Sequence, residues 1–110
     1  MNELSILQKT YDMFSYLYVC LRQYPKSEKH TLVAETKDAA YTLLRFLVAA
    51  NKRYHKKTTL QDADISLEML RYYIRLGKDL GFLPTSKYEN LSKMTTEIGC
   101  MLGGWIRSNA

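Results

Sequence analysis

His30 and His55 are the only histidines of the chain, and neither has a cysteine or a second histidine three or four residues away. That is the spacing a helix or turn needs to aim two ligands at one metal. Cys20 and Cys100 stand too far apart to read as a zinc site or a disulfide framework. Both fall mid-helix among apolar residues, where a buried structural thiol is expected rather than a nucleophile. A Gly-x-Ser-x-Gly elbow, a phosphate loop and a glycine-rich dinucleotide turn are all absent. A helical RNA nuclease would need an arginine and a histidine a few residues apart. Arg22 and His30 are too widely spaced and are broken by Pro25, while Arg53 and His55 are too close. The expectation is a chain with no metal, no cofactor and no catalytic activity of its own.

The chemistry that remains is charge and aromatic surface. Sixteen basic residues against eleven acidic ones give a net charge of +5. Residues 1–60 carry ten basic and five acidic side chains, and residues 61–110 carry six of each, so the whole excess lies in the first half. The densest cluster is Lys52, Arg53, Lys56 and Lys57, with His55 among them. Nine tyrosines are present, and Leu70-Arg-Tyr-Tyr-Ile-Arg75 interleaves two of them with Arg71 and Arg75. Tyrosine and arginine are enriched at protein interfaces and stack on bases. Tyrosines also cap the edge of a core, a reading of equal weight here.

The elements that must position these groups are helical. A length of 110 residues, 46% apolar and 25% charged, fits one globular domain. No glycine precedes Gly77, and no proline lies between Pro25 and Pro84. Leu4, Leu7, Tyr11, Phe14, Tyr18 and Leu21 recur at helical spacing, and Pro25 ends that run. Ser27 is the expected N-cap of a second helix that buries Val33, Thr36, Ala40, Leu43, Leu47, Ala50 and Tyr54. Thr59 with Asp62 opens a third, with Ala63, Leu67, Leu70, Ile74 and Gly77 inward and Gly81 at its end. Ser86 with Glu89 fits a capping box for the fourth. That helix buries Leu91, Met94, Ile98, Met101 or Leu102, and Trp105. The pattern predicts one all-α domain over 1–110, an up-down-up-down four-helix bundle with helices at about 3–24, 28–54, 60–80 and 87–107.

That topology sorts the cations. The first and third corners share one end, with Arg22, Lys26, Lys29, Lys78 and Lys87. The second corner shares the other end with the termini, and gathers Lys52, Arg53, Lys56, Lys57 and Arg107. Two basic poles suit phosphate backbones, through salt-sensitive binding that ignores sequence. Cations in last helical turns also offset the helix dipole, and charge alone does not choose between the two. The stripe Asp64–Glu68–Arg71–Arg75–Lys78 runs acidic to basic as the dipole favours and reads as a solvated face. Gly99 and Gly103 leave two bare patches on one face, suited to a close helix from the bundle or from a second subunit. The longest apolar or glycine run, Ile98–Ile106, is nine residues, about half a membrane span. With no signal peptide and sparse cysteine, a reducing cytoplasm is the expected compartment, and no membrane.

Three segments carry a resemblance: Tyr24-Pro-Lys-Ser-Glu-Lys-His-Thr-Leu32, Leu67-Glu-Met-Leu-Arg-Tyr-Tyr-Ile-Arg-Leu76 and Glu97-Ile-Gly-Cys-Met-Leu-Gly-Gly-Trp-Ile-Arg107. They resemble the bacterial four-helix-bundle family of accessory variability determinant proteins from diversity-generating retroelements. The related proteins of rRNA intervening sequences belong to the same family. The resemblance runs from about Tyr11 to Arg107, and its Leu-Arg-aromatic-aromatic-x-Arg and Met-Leu-Gly-Gly-Trp-Ile motifs favour the retroelement branch. It implies a ring-shaped pentamer and a non-catalytic partner that binds the reverse transcriptase and template RNA, with DNA a further polyanion in reach. That partner supports mutagenic reverse transcription and retrohoming. It makes Arg71 and Arg75 candidates for partner or nucleic-acid contact. The roles of Lys52, Arg53, Lys56, Lys57, Arg22, Lys26 and Lys29 rest on charge. The alternative is a bundle of the rRNA intervening-sequence type with a structural or RNA-associated role.

Overall fold

Ile6, Thr10, Met13, Leu17 and Cys20 follow one another at helical spacing, and all are buried. They define the inward face of the first helix in the computed structural model, which describes residues 3–109. The helices are α1 (Glu3–Leu21), α2 (Leu32–Lys52), α3 (Lys57–Asp79) and α4 (Thr85–Ser108), with a 3-10 turn at Lys26–Glu28. No strand occurs among the described residues. Each helix packs on its neighbours in the chain and α1 packs on α4, which closes a four-cornered bundle of 42 × 24 × 19 Å. The α2–α3 seam is the most extensive and the α1–α2 seam the thinnest.

The apolar run expected to be the core of α1 is not its core face. Phe14 and Leu21 are buried, but Leu7 and Tyr18 are half-buried and Tyr11 is 62% exposed. Leu4 lies outside the described side chains. The inward face is turned by one residue, because Ile6, Met13 and Leu17 also form a helical stripe, and that stripe joins Ile98, Trp105 and the rest of the core. Elsewhere the inward positions of α2, α3 and α4 match the expected pattern, from Val33 to Ala50, Ala63 to Gly77 and Leu91 to Trp105. Met94 and Met101 only edge the core, with Thr95 and Leu102 inside.

The caps differ from expectation: α2 begins later than expected, and α3 and α4 earlier. Residues 26–31 are all polar, so Ser27 falls in the 3-10 turn and α2 starts at Leu32. Thr59 is buried inside the first turn of α3, and Ser86 lies inside α4, whose first hydrogen bond runs from Tyr88 N–H to the Pro84 carbonyl. Tyr54 lies beyond the end of α2 and is 90% exposed, not core. Cys20 is buried and burial raises its thiol pKa, whereas Cys100 is exposed rather than buried.

Gly81 ends α3 as expected. Its φ of +83° suits glycine, and Gly81 N–H and Phe82 N–H donate to the carbonyls of Lys78 and Gly77 at 3.0 and 2.9 Å. That pattern is a Schellman motif. The glycine that close packing demands is Gly77. A Cβ there would overlap the Tyr24 hydroxyl and lie 2.8 Å from Tyr24 Cζ. Tyr24 also packs on Phe82 at 5.6 Å between ring centroids. The first corner is thereby seated on the third. Gly99 and Gly103 are different: a Cβ would meet Leu67 Cδ2 at 3.5 Å and Arg107 Nη1 at 3.4 Å. Within the bundle neither marks a close helix approach.

The glycines give opposite signs on substitution. Gly77→Ala overpacks the Tyr24 seat and costs about 1–3 kcal/mol. Gly99→Ala and Gly103→Ala stabilise by up to about 1 kcal/mol through helix propensity. Urea unfolding of the three variants measures both. Alkali gives a second check. Burial pushes the Tyr24 phenol up to about 12. The folded chain therefore holds this proton more tightly than the unfolded chain, whose tyrosine titrates near its ordinary value of 10.0. The contribution of Tyr24 to stability is intact below about pH 10 and falls as pH rises toward about 12. Unfolding of wild type and Tyr24→Phe across that window isolates it, with the flatter profile in the variant.

Candidate nucleic-acid interface

Arg71 and Arg75 are one helical turn apart on the outer side of α3, and α4 brings a polar face up beside them. Together they form a cleft of about 290 Å³ between the two helices. Arg71, Tyr72 and Arg75 line one wall, and Tyr88, Ser92 and Thr95 the other. Both arginines are exposed. Arg71 Nη2 reaches the Thr96 hydroxyl at 3.4 Å, a long contact. Arg75 Nε stands 3.7 Å from Asp79 Oδ2. Exposed pairs of this length hold an arginine weakly, so both guanidinium groups remain available to an anion. The Lys78 ammonium lies 5.2 Å from the Tyr88 ring centroid and adds a third cation at the end of the cleft. Glu68 is the one acid in its lining.

The stripe read as a solvated face thus forms one wall of a cleft. The opposite wall was not singled out in the sequence. Its signal is a polar strip at helical spacing, Tyr88, Ser92 and Thr95, at the edge of the buried face of α4, where Thr95 itself is buried in line with Ile98 and Trp105.

The second corner uses its charge differently. The Lys56 ammonium donates to the Ala50 carbonyl at 2.5 Å and the Arg53 carbonyl at 2.7 Å. It closes the C-terminus of α2, where carbonyls lack helical partners. Arg53 Nη1 donates to Thr59 Oγ1 at 2.9 Å and ties the turn to α3. Lys52 and Lys57 are exposed. At the other end Arg22, Lys26 and Lys29 are exposed around the polar 22–31 connection. The structure brings Arg71 and Arg75 into one cleft and leaves the other candidates at the two poles. Among the described residues no group of His, Cys, Asp and Glu is placed to hold a metal, and no helix is long and apolar enough to cross a membrane.

Lys56 and Lys57 separate structural from free charge. Lys56→Ala leaves the α2 carbonyls without their donor and lowers stability by about 1 kcal/mol, while Lys57→Ala changes it by less than about 0.5 kcal/mol. Thermal unfolding of the two variants checks this.

A model of the bAvd-like family matches residues 4–109 of the chain. No curated protein matches it.

Proposed function

Because the chain belongs to the bAvd-like family, we propose that it is a non-catalytic accessory subunit of a diversity-generating retroelement. It binds the element's reverse transcriptase and template RNA in the cytoplasm and supports mutagenic reverse transcription. It works as a homo-oligomer, a ring of five in the form the resemblance implies.

The observation that carries this reading is the α3–α4 cleft. Two guanidinium groups stand beside two tyrosine rings, with hydroxyls on the far wall. Arginine offers a planar fork of donors for phosphate oxygens, and tyrosine offers a face on which a base stacks. Neither interaction reads sequence, which suits a subunit that holds a template while another protein copies it. The cations exposed at the poles, Lys52, Lys57, Arg22, Lys26 and Lys29, extend the field along a longer strand.

Arg71→Ala with Arg75→Ala leaves the helical circular dichroism unchanged and weakens association with single-stranded RNA or with the polymerase by at least about tenfold, a loss of about 1.4 kcal/mol. Wild-type RNA affinity falls steeply between low and moderate salt, as phosphate contacts require. Fluorescence anisotropy on labelled RNA and a pull-down with the polymerase measure these. Unchanged binding by the double variant, or a flat salt response, contradicts the reading.

A further inference from the structure

Glu68 is the single acid lining the α3–α4 cleft, and neither a fork for phosphate nor a ring for stacking accounts for it. Its place in the helix is regular. Arg71, Tyr72 and Arg75 follow it by three, four and seven residues, so all four share one side of α3. Glu68 is exposed and enters none of the ion pairs among the described residues. An ionised carboxylate only accepts hydrogen bonds, and this one is free to accept them from a ligand. The Arg71 guanidinium beside it is held only by the long contact to Thr96, at 3.4 Å, and is free to donate.

Charge changes sign along the cleft. At the end away from Glu68, Arg75 and Lys78 share one acid, Asp79, at 3.7 and 4.0 Å, so that end keeps a positive excess. A phosphate is drawn there and repelled by Glu68. The seven residues from Glu68 to Arg75 span about 10 Å of helix axis, with Tyr72 between them. A cleft of about 290 Å³ is small for a ligand site and seats one nucleotide rather than a run of them. These features orient that nucleotide. Its phosphate lies toward Arg75 and Lys78, its base on Tyr72, and its base edge toward Glu68 and Arg71.

We infer that Glu68, with Arg71 beside it, selects guanine at one position of the strand that the cleft grips. Phosphate contact and stacking ignore the identity of a base, but an acceptor next to a donor does not. Guanine presents N1–H and N2–H side by side, which one carboxylate accepts together, and its O6 is adjacent for a guanidinium donor. Adenine and cytosine offer one amino donor beside a ring acceptor. Uracil sets its single N3–H between two carbonyls, which repel the second carboxylate oxygen. Unpaired bases of a single strand expose this edge to protein. Guanine is therefore preferred most and uracil least. This inference rests on the nucleic-acid binding proposed above and adds one base-selective position to a grip otherwise blind to sequence.

Fluorescence anisotropy tests it, with labelled oligouridine carrying one central guanine, inosine or adenine, on wild type and Glu68→Gln. The three purines stack alike, so differences among them report the base edge. Wild type prefers guanine to adenine by about fivefold to tenfold, and inosine, which lacks only the N2 amino group, binds more weakly than guanine. Glu68→Gln keeps its circular dichroism and narrows the guanine preference to less than about twofold. A wild type that binds no RNA overturns both the inference and the nucleic-acid reading. Equal binding of all three oligomers by wild type overturns the inference alone, as does a guanine preference that survives in Glu68→Gln. If the variant instead binds every oligomer more tightly by one common factor, Glu68 only repels phosphate and selects nothing. Saturable binding of free guanosine monophosphate, with no preference among the oligomers, assigns the cleft to the free nucleotide and overturns its selection within a strand.

Discussion

The seat of Tyr24 on Gly77 joins the two corners that hold α1, α3 and α4 in register. Tyr24 leaves the end of α1, crosses to the last turn of α3 and packs on Phe82 of the α3–α4 connection. The Gly77 carbonyl accepts from Phe82 and Leu83 N–H, so the same residue that admits the ring also fixes the turn into α4. Arg75 stands two residues before this seat, and Tyr88 lies in the first turn of α4 just after it. Further along the bundle, α1 and α4 are tied by Lys9 to Glu97 at 3.0 Å and by Asn90 Nδ2 to the Tyr16 hydroxyl at 3.1 Å. These contacts are exposed and contribute little energy, but they fix orientation.

Charge divides into cations that hold the protein and cations that are free. Lys56 and Arg53 serve the α2–α3 turn, so the densest basic run in the sequence is partly a structural device. Arg71 and Arg75 sit in a region with no net charge excess, yet they are the pair that stands beside aromatic rings in a cleft. The proposed grip on an anion therefore rests on local geometry and not on the count of charges. A polyanion held by a few such contacts stays mobile along the surface, which is compatible with passing a strand to a separate active site.

Most of the fold was legible in the residues because helical burial writes a regular pattern. The inward faces of α2, α3 and α4 and the left-handed turn at Gly81 followed from spacing and glycine chemistry alone. α1 misled because it carries two apolar stripes, and periodicity does not say which one meets the core. Tyr11 and Tyr54 misled because a tyrosine tolerates both burial and exposure. The cap of α2 was displaced because residues 26–31 are all polar and Leu32 is the first apolar residue able to reach the core, while α3 and α4 start at polar residues ahead of the expected caps. Half of the cleft was legible as the Arg71–Arg75 run. The α4 wall was not, since Ser92 and Thr95 acquire meaning only from the helix they face.

The central claim is that the α3–α4 cleft grips single-stranded nucleic acid. Nuclear magnetic resonance of the uniformly labelled protein, titrated with a short unstructured RNA at low salt, tests it most directly. The account predicts shifts concentrated at Arg71, Tyr72, Arg75, Tyr88 and Ser92, saturating with RNA. Shifts confined to the poles around Lys52, Lys57 and Lys26, with the cleft unmoved, would contradict it.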